Sequence, residues 1–572
     1  IFSKKKCFYF EKKFCKIFLN GRFLGIHNNP STFLFSFRSM RRSGMINHYV
    51  SIFWDTFSEE ILILTDEGRI CRPFLIVDLG IIKIRNFEKN LLKKNLNFCK
   101  DLLRQGFLEF LDVNEQNNAF IAQEPQNINN KTTHLEIAPE IILGVCASLI
   151  PFLDHNQSPR NTYQCAMGKQ SIGSISLNQH QRCDTILSLL IYPQKPLVKT
   201  KVIYFSGNSR LTTGINACVC ILSYSGFDIE DAIILNRSSI ERGFFRSFLM
   251  RKHKVLLKNL IFSGENKSKK KNFDFKKKIK KNGKNKLLFG REIEKKQFLD
   301  FENQLLSRFS LKEIKGEMIE KIILSSNFLE IFFVKLILRQ VRHPEVGDKF
   351  SSRHGQKGVC GAICFQKDLP FSNDGIIPDL IMNPHGFPSR MTIGKVIELM
   401  GAKMGSILCK FTDGTPFNSS KIIKIKKKLK SIGYSSKGKE FFFSGITGEP
   451  ITMDVFSGPV FYQKLKHMVK DKIHARGKGP CSNITRQPIE GRSKGGGLRF
   501  GEMERDCLIS YGASETILER LLISSDLIQA NFDFQTGFFT DKKKTSNIIS
   551  LKLPYACKLL FEELQSMNIL PR

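Results

Sequence analysis

Gly347-Asp348-Lys349-Phe350-Ser351-Ser352-Arg353-His354-Gly355-Gln356-Lys357-Gly358 is the stretch on which the reading of this chain turns. Lys349, Arg353 and Lys357 recur every four residues, a spacing that lines one face of a helix. Gly355 and Gly358 argue against a helix, because glycine is a poor helix former. The run therefore points to a loop or a tight hairpin. Glycine lets backbone approach a ligand closely, and the lysines can neutralise phosphates. A basic glycine loop of purely structural purpose is the alternative.

Four further constellations flank it. Asn383-Pro384-His385-Gly386-Phe387-Pro388-Ser389-Arg390-Met391 reads as a rigid turn that presents Arg390, whose planar fork suits bidentate phosphate binding. The plainer alternative is an arginine paired with a nearby carboxylate. Ser225-Gly226-Phe227-Asp228-Ile229-Glu230-Asp231-Ala232 sets two adjacent carboxylates after a glycine turn and before the apolar strand Ile233–Leu235. Glu230 and Asp231 could orient a Mg²⁺ shell, although acids at such turns are more often solvated or salt-bridged. Asp154 to Gln164, continuing to Gly168-Lys169-Gln170, is densely polar. It fails as a Walker loop: no glycine stands at the required upstream position, and Gln170 replaces the Ser/Thr that would hold Mg²⁺. Last, Lys464 to Arg505 carries Lys464, Lys466, His474, Arg476, Arg486, Arg492 and Arg499 among Gly and Pro, a basic track for a nucleic-acid backbone. Glu502, Glu504 and Asp506 at its end are candidate partners for some of them.

Composition bounds the rest. The chain has 572 residues, 41% of them apolar, enough for several domains with cores of their own. Lys plus Arg number 89 against 53 Asp plus Glu, a formal charge of +36, for which a polyanionic partner is the simplest reading. Compositional drift is the competing reading: Phe (50), Lys, Asn and Ile abound and Trp (1) is scarce, as in an AT-rich coding sequence. Charge alone therefore does not carry a nucleic-acid assignment. The 15 cysteines form no disulfide framework and include no Cys-x-x-Cys pair, which fits a reducing compartment and leaves a zinc ribbon unsupported. The first twenty residues alternate Phe and Lys without a secretory core. The longest apolar stretch, Ile141–Leu153, is broken by Pro151 and too short to span a bilayer, so no membrane partner is expected. A start at Ile1 rather than Met reads as a fragment or an uncertain gene start.

Along the chain, Ser36–Arg42 has helical character and stops at Ser43-Gly44. Ile61–Thr65, the turn Asp66-Glu67-Gly68 and Arg69–Val77 read as a β-hairpin, and polar Asn114–Lys131 as a loop. A Lys/Asn tract at 264–289 reads as a disordered insertion, either a basic arm or an expanded surface loop. From Val334 to Gly512 short β-type runs alternate with Gly/Pro turns, which predicts a β-rich domain with long functional loops. Glu515–Leu522 and Lys558–Met567 read as amphipathic helices.

Taken in order, these segments resemble the second-largest subunit of cellular RNA polymerases, the counterpart of the bacterial β subunit. The resemblance runs from Gly21-Arg22-Phe23-Leu24-Gly25 and Phe37–Gly44, through Gly68-Arg69-Ile70-Cys71-Arg72-Pro73, to Pro554–Gln565. Tyr163-Gln164-Cys165-Ala166-Met167, His385-Gly386-Phe387, Ile397-Glu398-Leu399 and Leu564-Gln565-Ser566-Met567-Asn568 are similar to the RNA polymerase III type, with polymerase II as runner-up. The resemblance implies a multidomain, β-rich α+β fold: a hybrid-binding domain with a double-psi β-barrel, a wall/flap insertion and a C-terminal helical clamp segment. It implies external domains at 1–77 and 78–130, a hybrid-binding domain at 131–506 with its insertion at about 240–335, and an anchor/clamp domain at 507–572.

It also implies roles. Lys349 and Lys357 match lysines near the RNA 3′ end and incoming nucleotide; Arg390 and Arg160 match triphosphate contacts; Gln170 matches a glutamine lining the RNA. Glu230 and Asp231 match an acidic pair beside the second Mg²⁺. Arg353 and the Lys464–Arg499 segment match nucleic-acid contacts. Implied partners are the largest subunit and other core subunits, template DNA, the RNA–DNA hybrid and NTPs. The implied location is the nucleus, or a nucleomorph given the AT-rich bias. The chain departs from the pattern in three ways. No Asp-x-Asp-Gly-Asp run occurs; in the family it sits on the largest subunit and binds the catalytic Mg²⁺, so this chain alone should be inactive. Leu527–Leu553 lacks the family's zinc-ribbon cysteines, so zinc is expected to be absent. The family's N-terminal lobe and protrusion have no counterpart here. The competing class is a non-catalytic basic nucleic-acid-binding derivative of such a subunit, against which retention of the nucleotide contacts weighs.

Overall fold

Along β4 (Glu60–Leu64) Ile61 and Ile63 turn inward between half-buried neighbours, the period-two pattern of a strand with one packed face. In the computed structural model, which describes residues 14–86, 102–103, 105–256, 318–326, 332–418, 420–540 and 548–571, β4 lies between two partners. These are β1 (Cys15–Leu19), parallel, and β3 (Ser51–Asp55), antiparallel; β2 (Arg22–His27) closes the far edge. Helix α1 (Pro30–Arg42) covers this sheet by packing Phe33, Leu34 and Phe37 on Cys15, Ile52 and Ile61. Proline fits its first turn, and Arg41 and Arg42 its last, where the helix dipole favours cations. The stop at Ser43-Gly44 is as expected, with Gly44 at φ +83°; the start lies earlier, at Pro30.

The expected hairpin is corrected. Both strands exist, but β5 (Cys71–Asp78) belongs to a second sheet with β6 (Ile81–Ile82), β7 (Leu108–Asp112), β8 (Ile121–Ala122) and β9 (His134–Glu136). The turn with Gly68 at φ +85° hands the chain from one sheet to the next. Asn114–Lys131 is likewise more ordered than expected. It holds a helical turn, Val113–Asn117, whose first N–H is capped by the Asp112 carboxylate, and then β8. The two sheets are tied by a buried ionic cluster. Arg41, 1% exposed, donates to Glu109 (Nε, 3.0 Å), Glu115 (2.7 and 2.8 Å) and the Val50 carbonyl (2.7 Å), and Arg42 grips the second Glu109 oxygen.

The centre of the chain is a ring of strands. β12 (Ile215–Ile221), β20 (Leu380–Met382), β13 (Ala232–Asn236), β18 (Lys357–Cys364), β17 (Lys349–Ser352) and β24 (Val455–Lys464) pair in that order, and β24 pairs back to β12. β12–β20 and β13–β18 are parallel and the other pairs antiparallel. β22 (Lys439–Glu440) adds to β24. Cys220, Ile234, Ile381, Phe442 and Val455 form one core against the ring. A second core joins α3 (Ile393–Ile407) and α4 (Ser420–Ser431) through Ile397, Met400, Ile425 and Leu429. The short ribbons β11 (Val198–Lys199) with β21 (Thr412–Asp413), and β19 (Phe371–Ser372) with β23 (Phe442–Phe443), bind the loops down. A four-stranded sheet in the order β10 (Ile186–Leu190), β14 (Ser247–Leu256), β16 (Phe332–Arg342), β15 (Met318–Ser326) completes this part. The tract 264–289 lies outside the described residues. The hairpin expected from the opening motif is present as β17 and β18.

By its contacts the chain divides into two compact units, Ile1–Lys466 and His467–Arg572. The second holds α5 (Glu502–Tyr511), a helix Ser514–Leu518 that widens into a π turn at Glu519–Ile523, the antiparallel pair β25 (Leu527–Asp533) and β26 (Ile548–Pro554), and α6 (Tyr555–Ser566). The fold is thus multidomain, mixed α/β and strand-rich. Among the described residues no helix is long and apolar enough to cross a membrane.

Candidate active-site cavity

Four side chains singled out from sequence meet at one cavity. Glu230, Asp231, Lys357 and Arg390 line a volume of about 690 Å³ together with Gln356, Met382, Asn383, His385 and Tyr462. Three segments supply the four. Glu230 and Asp231 precede β13 in left-handed backbone (φ +50° and +69°), a conformation that costs a non-glycine residue about 1–3 kcal/mol and is tolerated where the surroundings fix it. The fixing groups are visible. The Val359 N–H donates to the Asp231 carbonyl (3.1 Å), and the buried Asp228 accepts from the Tyr224 N–H (3.1 Å). Gly358 lets β18 come this close, because a Cβ there would lie 3.0 Å from the Asp231 oxygen.

Arg390 follows a 3₁₀ turn, Pro384–Gly386, that Asn383 caps by accepting from the His385 N–H. Its two terminal nitrogens donate to the two Asp231 carboxylate oxygens in a fork-to-fork pair. The plainer of the two readings of Arg390, a carboxylate partner, is therefore present in this state.

Lys349 and Lys357 share one face of the hairpin, since Lys357 lies opposite Ser351 and Lys349 opposite Val359. Lys357 is exposed and Lys349 half-buried. The hairpin tip is seated on α2 (Ser158–Gly168), the polar segment that failed as a phosphate loop. Gly355 is left-handed (φ +72°), and a Cβ on it would meet the Arg160 carbonyl at 2.4 Å. Arg160 donates to the Gly355 carbonyl (3.4 Å) and its guanidinium lies over the Tyr163 ring. Gln170 is half-buried after α2, where its carbonyl accepts from the Lys466 N–H (3.0 Å). Arg160, Gln170 and Lys349 do not line the cavity.

Two expected nucleic-acid contacts are corrected. Arg353 is 5% exposed; it donates to Glu398 and the Val198 carbonyl and lies over Phe461. Lys464 is fully buried at the end of β24, 3.6 Å from Asp348; burial, partly offset by Asp348, pushes its ammonium down to about 8. Neither side chain presents its charge at the surface in this structure. In the second unit, His474 donates to the Gly496 carbonyl (2.7 Å), Arg476 to those of Gly495 (2.7 Å) and Pro480 (3.0 Å), and Arg492 to that of Lys470 (2.9 Å). Arg486 lies over Tyr555. Lys466 and Arg499 are exposed.

Sequence reasoning missed the charges beneath the cavity. Glu398 on α3 accepts from Arg353, His354 and the Phe461 N–H. Burial would raise its carboxyl, but Arg353 and His354 outweigh it and hold it at about 2. Burial depresses His354 and keeps the ring neutral, so Nε2–H donates to Glu398 while Nδ1 accepts from Asn156 (2.9 Å). A lysine and a glutamate inside the apolar run Gly394–Ala402 were the available signal.

Among the described residues no three His, Cys, Asp or Glu side chains converge as a metal site. With both Asp231 oxygens held by Arg390, the Glu230–Asp231 pair does not by itself make a Mg²⁺ shell.

Comparison with known proteins places these residues in a family. RNA polymerase Rpb2 domain 6 matches residues 146–494, and Rpb2 domains 4, 5 and 7 match 17–78, 100–139 and 496–572. DNA-directed RNA polymerase III subunit RPC2 of Schizosaccharomyces pombe is 46% identical over 97% of this chain and 51% of that protein. The subunit of the same name from Saccharomyces cerevisiae is 45% identical over 97% and 51%. DNA-directed RNA polymerase II subunit 2 of Arabidopsis thaliana is 40% identical over 97% and 51%. The chain thus spans about half the length of the curated relatives it matches. With domain 6 covering most of the chain and the cavity built wholly within it, the chain belongs to the RNA polymerase Rpb2 family.

Proposed function

We propose that this chain is the C-terminal half of an RNA polymerase III-type second-largest subunit and that, beside the largest subunit, it binds NTP, DNA and the RNA–DNA hybrid for template-directed RNA synthesis. The observation that carries the reading is the convergence of Arg390, Lys357, Glu230 and Asp231 on one cavity. A guanidinium fork with a neighbouring ammonium matches a triphosphate, and phosphate oxygens entering there compete with Asp231 for Arg390. Such cations stabilise charge that grows on the pyrophosphate leaving group. Lys349, on the same hairpin face as Lys357, extends the positive edge toward the RNA end. Arg160 and Gln170 flank it, and Lys466 and Arg499 offer exposed charge to a nucleic-acid backbone. Transfer itself requires the largest subunit, because the chain carries no Asp-x-Asp-Gly-Asp run; the Mg²⁺ ligands are then mainly on that partner.

The strand ring with two embedded parallel pairs supports the double-psi barrel. The domain division at 77, 130 and 506, the clamp role of the last segment, loss of zinc and a nuclear location belong to the same proposal. In assembled enzyme, Lys357→Ala and Arg390→Ala should each raise the KM for NTP at least about tenfold, the loss of a charge-assisted contact, without preventing assembly. Unchanged KM in both would overturn the reading. A polymerase II assignment has support in the 40% identity to the Arabidopsis subunit. Affinity purification decides between the types by the small subunits recovered, and recovery without any largest subunit would favour the non-catalytic derivative.

A further inference from the structure

Lys395 lies on α3, fully buried, one side chain behind the cavity. Its Nζ donates to Gln356 Oε1 (2.7 Å) and Tyr462 Oη (2.8 Å) and lies 2.7 Å from Met382 Sδ. All three partners line the cavity that holds Arg390 and Lys357. The Gln356 amide is fixed, since its Nε2 donates to Thr392 Oγ1 and to the Gly386 carbonyl (3.3 Å); its oxygen therefore faces Lys395. No carboxylate is among the hydrogen-bond partners of Nζ.

These partners serve both protonation states. An ammonium donates to Gln356, Tyr462 and the Met382 sulfur. A neutral amine keeps the bond to Gln356 and accepts from the Tyr462 hydroxyl. Burial pushes the group down to about 7, opposed by the Glu398 carboxylate. The charged and titratable groups that line the cavity in front of it or bond Glu398 beside it come from several elements. They are Arg353, His354 and Lys357 on the β17–β18 hairpin, Tyr462 on β24, and His385 and Arg390 on the 384–390 turn. Glu230 and Asp231 stand before β13, and Glu398 lies on α3 itself. The two histidines aside, three cations (Arg353, Lys357 and Arg390) stand against three carboxylates (Glu230, Asp231 and Glu398). The local charge is balanced while the cavity holds no anion, and a polyanion upsets that balance.

We infer that Lys395 is a positioning residue that compensates charge: it takes up one proton from solvent as a triphosphate enters the cavity and returns it when the cavity empties. The inference rests on the nucleotide reading above. Amine plus proton gives ammonium, and no bond to the nucleotide forms or breaks. The ammonium then reinforces Arg390 and Lys357 through the dipoles of Gln356 and Tyr462, not by direct contact.

The test is the pH profile of KM for NTP between about pH 7 and 8.5, in assembled enzyme carrying the full-length subunit. Wild type should show KM rising by up to about tenfold per pH unit, the limit for one linked proton. Lys395→Arg keeps the charge and should give a low KM without that slope; Lys395→Met should hold KM near the alkaline wild-type value, also without it. Ionisation of the nucleotide is common to all three and cancels. A merely structural lysine would shift KM the same way in both variants and leave the wild-type slope, which overturns the inference. If the variants fail to fold, calorimetric titration of wild type with NTP, in two buffers of different ionisation enthalpy at about pH 7.5, still decides: proton uptake supports the inference and its absence overturns it. Lys357→Ala and Arg390→Ala, run in parallel, separate the two failures. If neither moves KM, the nucleotide reading falls; if they raise KM while the Lys395 variants keep the slope, only this inference falls.

Discussion

Glu398→Gln tests what holds the floor of the cavity. The carboxylate is fully buried and joins Arg353, His354 and the Phe461 backbone, so it ties α3 to the β17–β18 hairpin and β24. Holding the carboxyl at about 2 against its ordinary 4.5 corresponds to about 3 kcal/mol of folded-state stabilisation at neutral pH. Removing one partner from a buried ion pair costs about 3–5 kcal/mol by an independent route, the stranded charge of the other partner. The two routes give an opening equilibrium shifted by on the order of 100-fold to a few thousandfold. Amide hydrogen exchange over β18 and α3 reads it directly, within the assembled complex. The folded value lies below the unfolded one. The stabilisation is therefore complete above about pH 4.5 and lost as pH falls through about 2, and Glu398→Gln should flatten that acid limb. Arg353→Met with Glu398→Leu should regain part of the loss, because no lone charge is left behind. A change in exchange of less than about threefold in Glu398→Gln would refute the reasoning, since about 0.6 kcal/mol is the size of an exposed pair.

Gly355→Ala should lift the hairpin tip off α2, at a cost of about 1–3 kcal/mol from the left-handed backbone and the clash with Arg160; faster amide exchange at 349–360 with raised KM is the expected pair of readouts. Arg41→Met removes the guanidinium shared by Glu109 and Glu115 in the joint between the first two sheets, leaving Glu109 to Arg42 and His134 and Glu115 to Arg38. It should weaken that joint by about 1–3 kcal/mol, less than an uncompensated buried charge would cost, seen as faster protease cleavage at the 66–70 turn. Elemental analysis of the purified chain should find no stoichiometric zinc, and one zinc per chain would contradict the loss of the ribbon.

What could be read from the sequence was what is local. Ser43-Gly44 stops α1, the glycines of the opening motif bend it into β17 and β18, and the acids before Ile233 precede a strand. Pairing was not legible. Asp66-Glu67-Gly68 looks the same whether the flanking strands join each other or, as here, two different sheets. Burial misled in the same way. Arg353 stands in a basic glycine loop and Lys464 opens a basic track, yet partners distant in sequence, Glu398 and Asp348, put both inside. Lys395 and Glu398 were overlooked because charges within an apolar run are expected at a solvated face, whereas nearly all of α3, Lys403 included, is covered.

The closing strand of the ring carries a consequence for biosynthesis. β12 is made early, but its partner β24 emerges only when the ribosome has passed Tyr462, which pairs with Ile215. At common elongation rates that interval lasts roughly 10–50 s, during which the β24 edge of β12 has no native neighbour, and until Met382 is made the β20 edge has none either. Nascent chains halted anywhere in that window present a sticky apolar strand of alternating Ile, Ala and Val. Ribosome-bound chaperone occupancy should therefore build up after residue 221 and fall once residue 464 clears the exit tunnel.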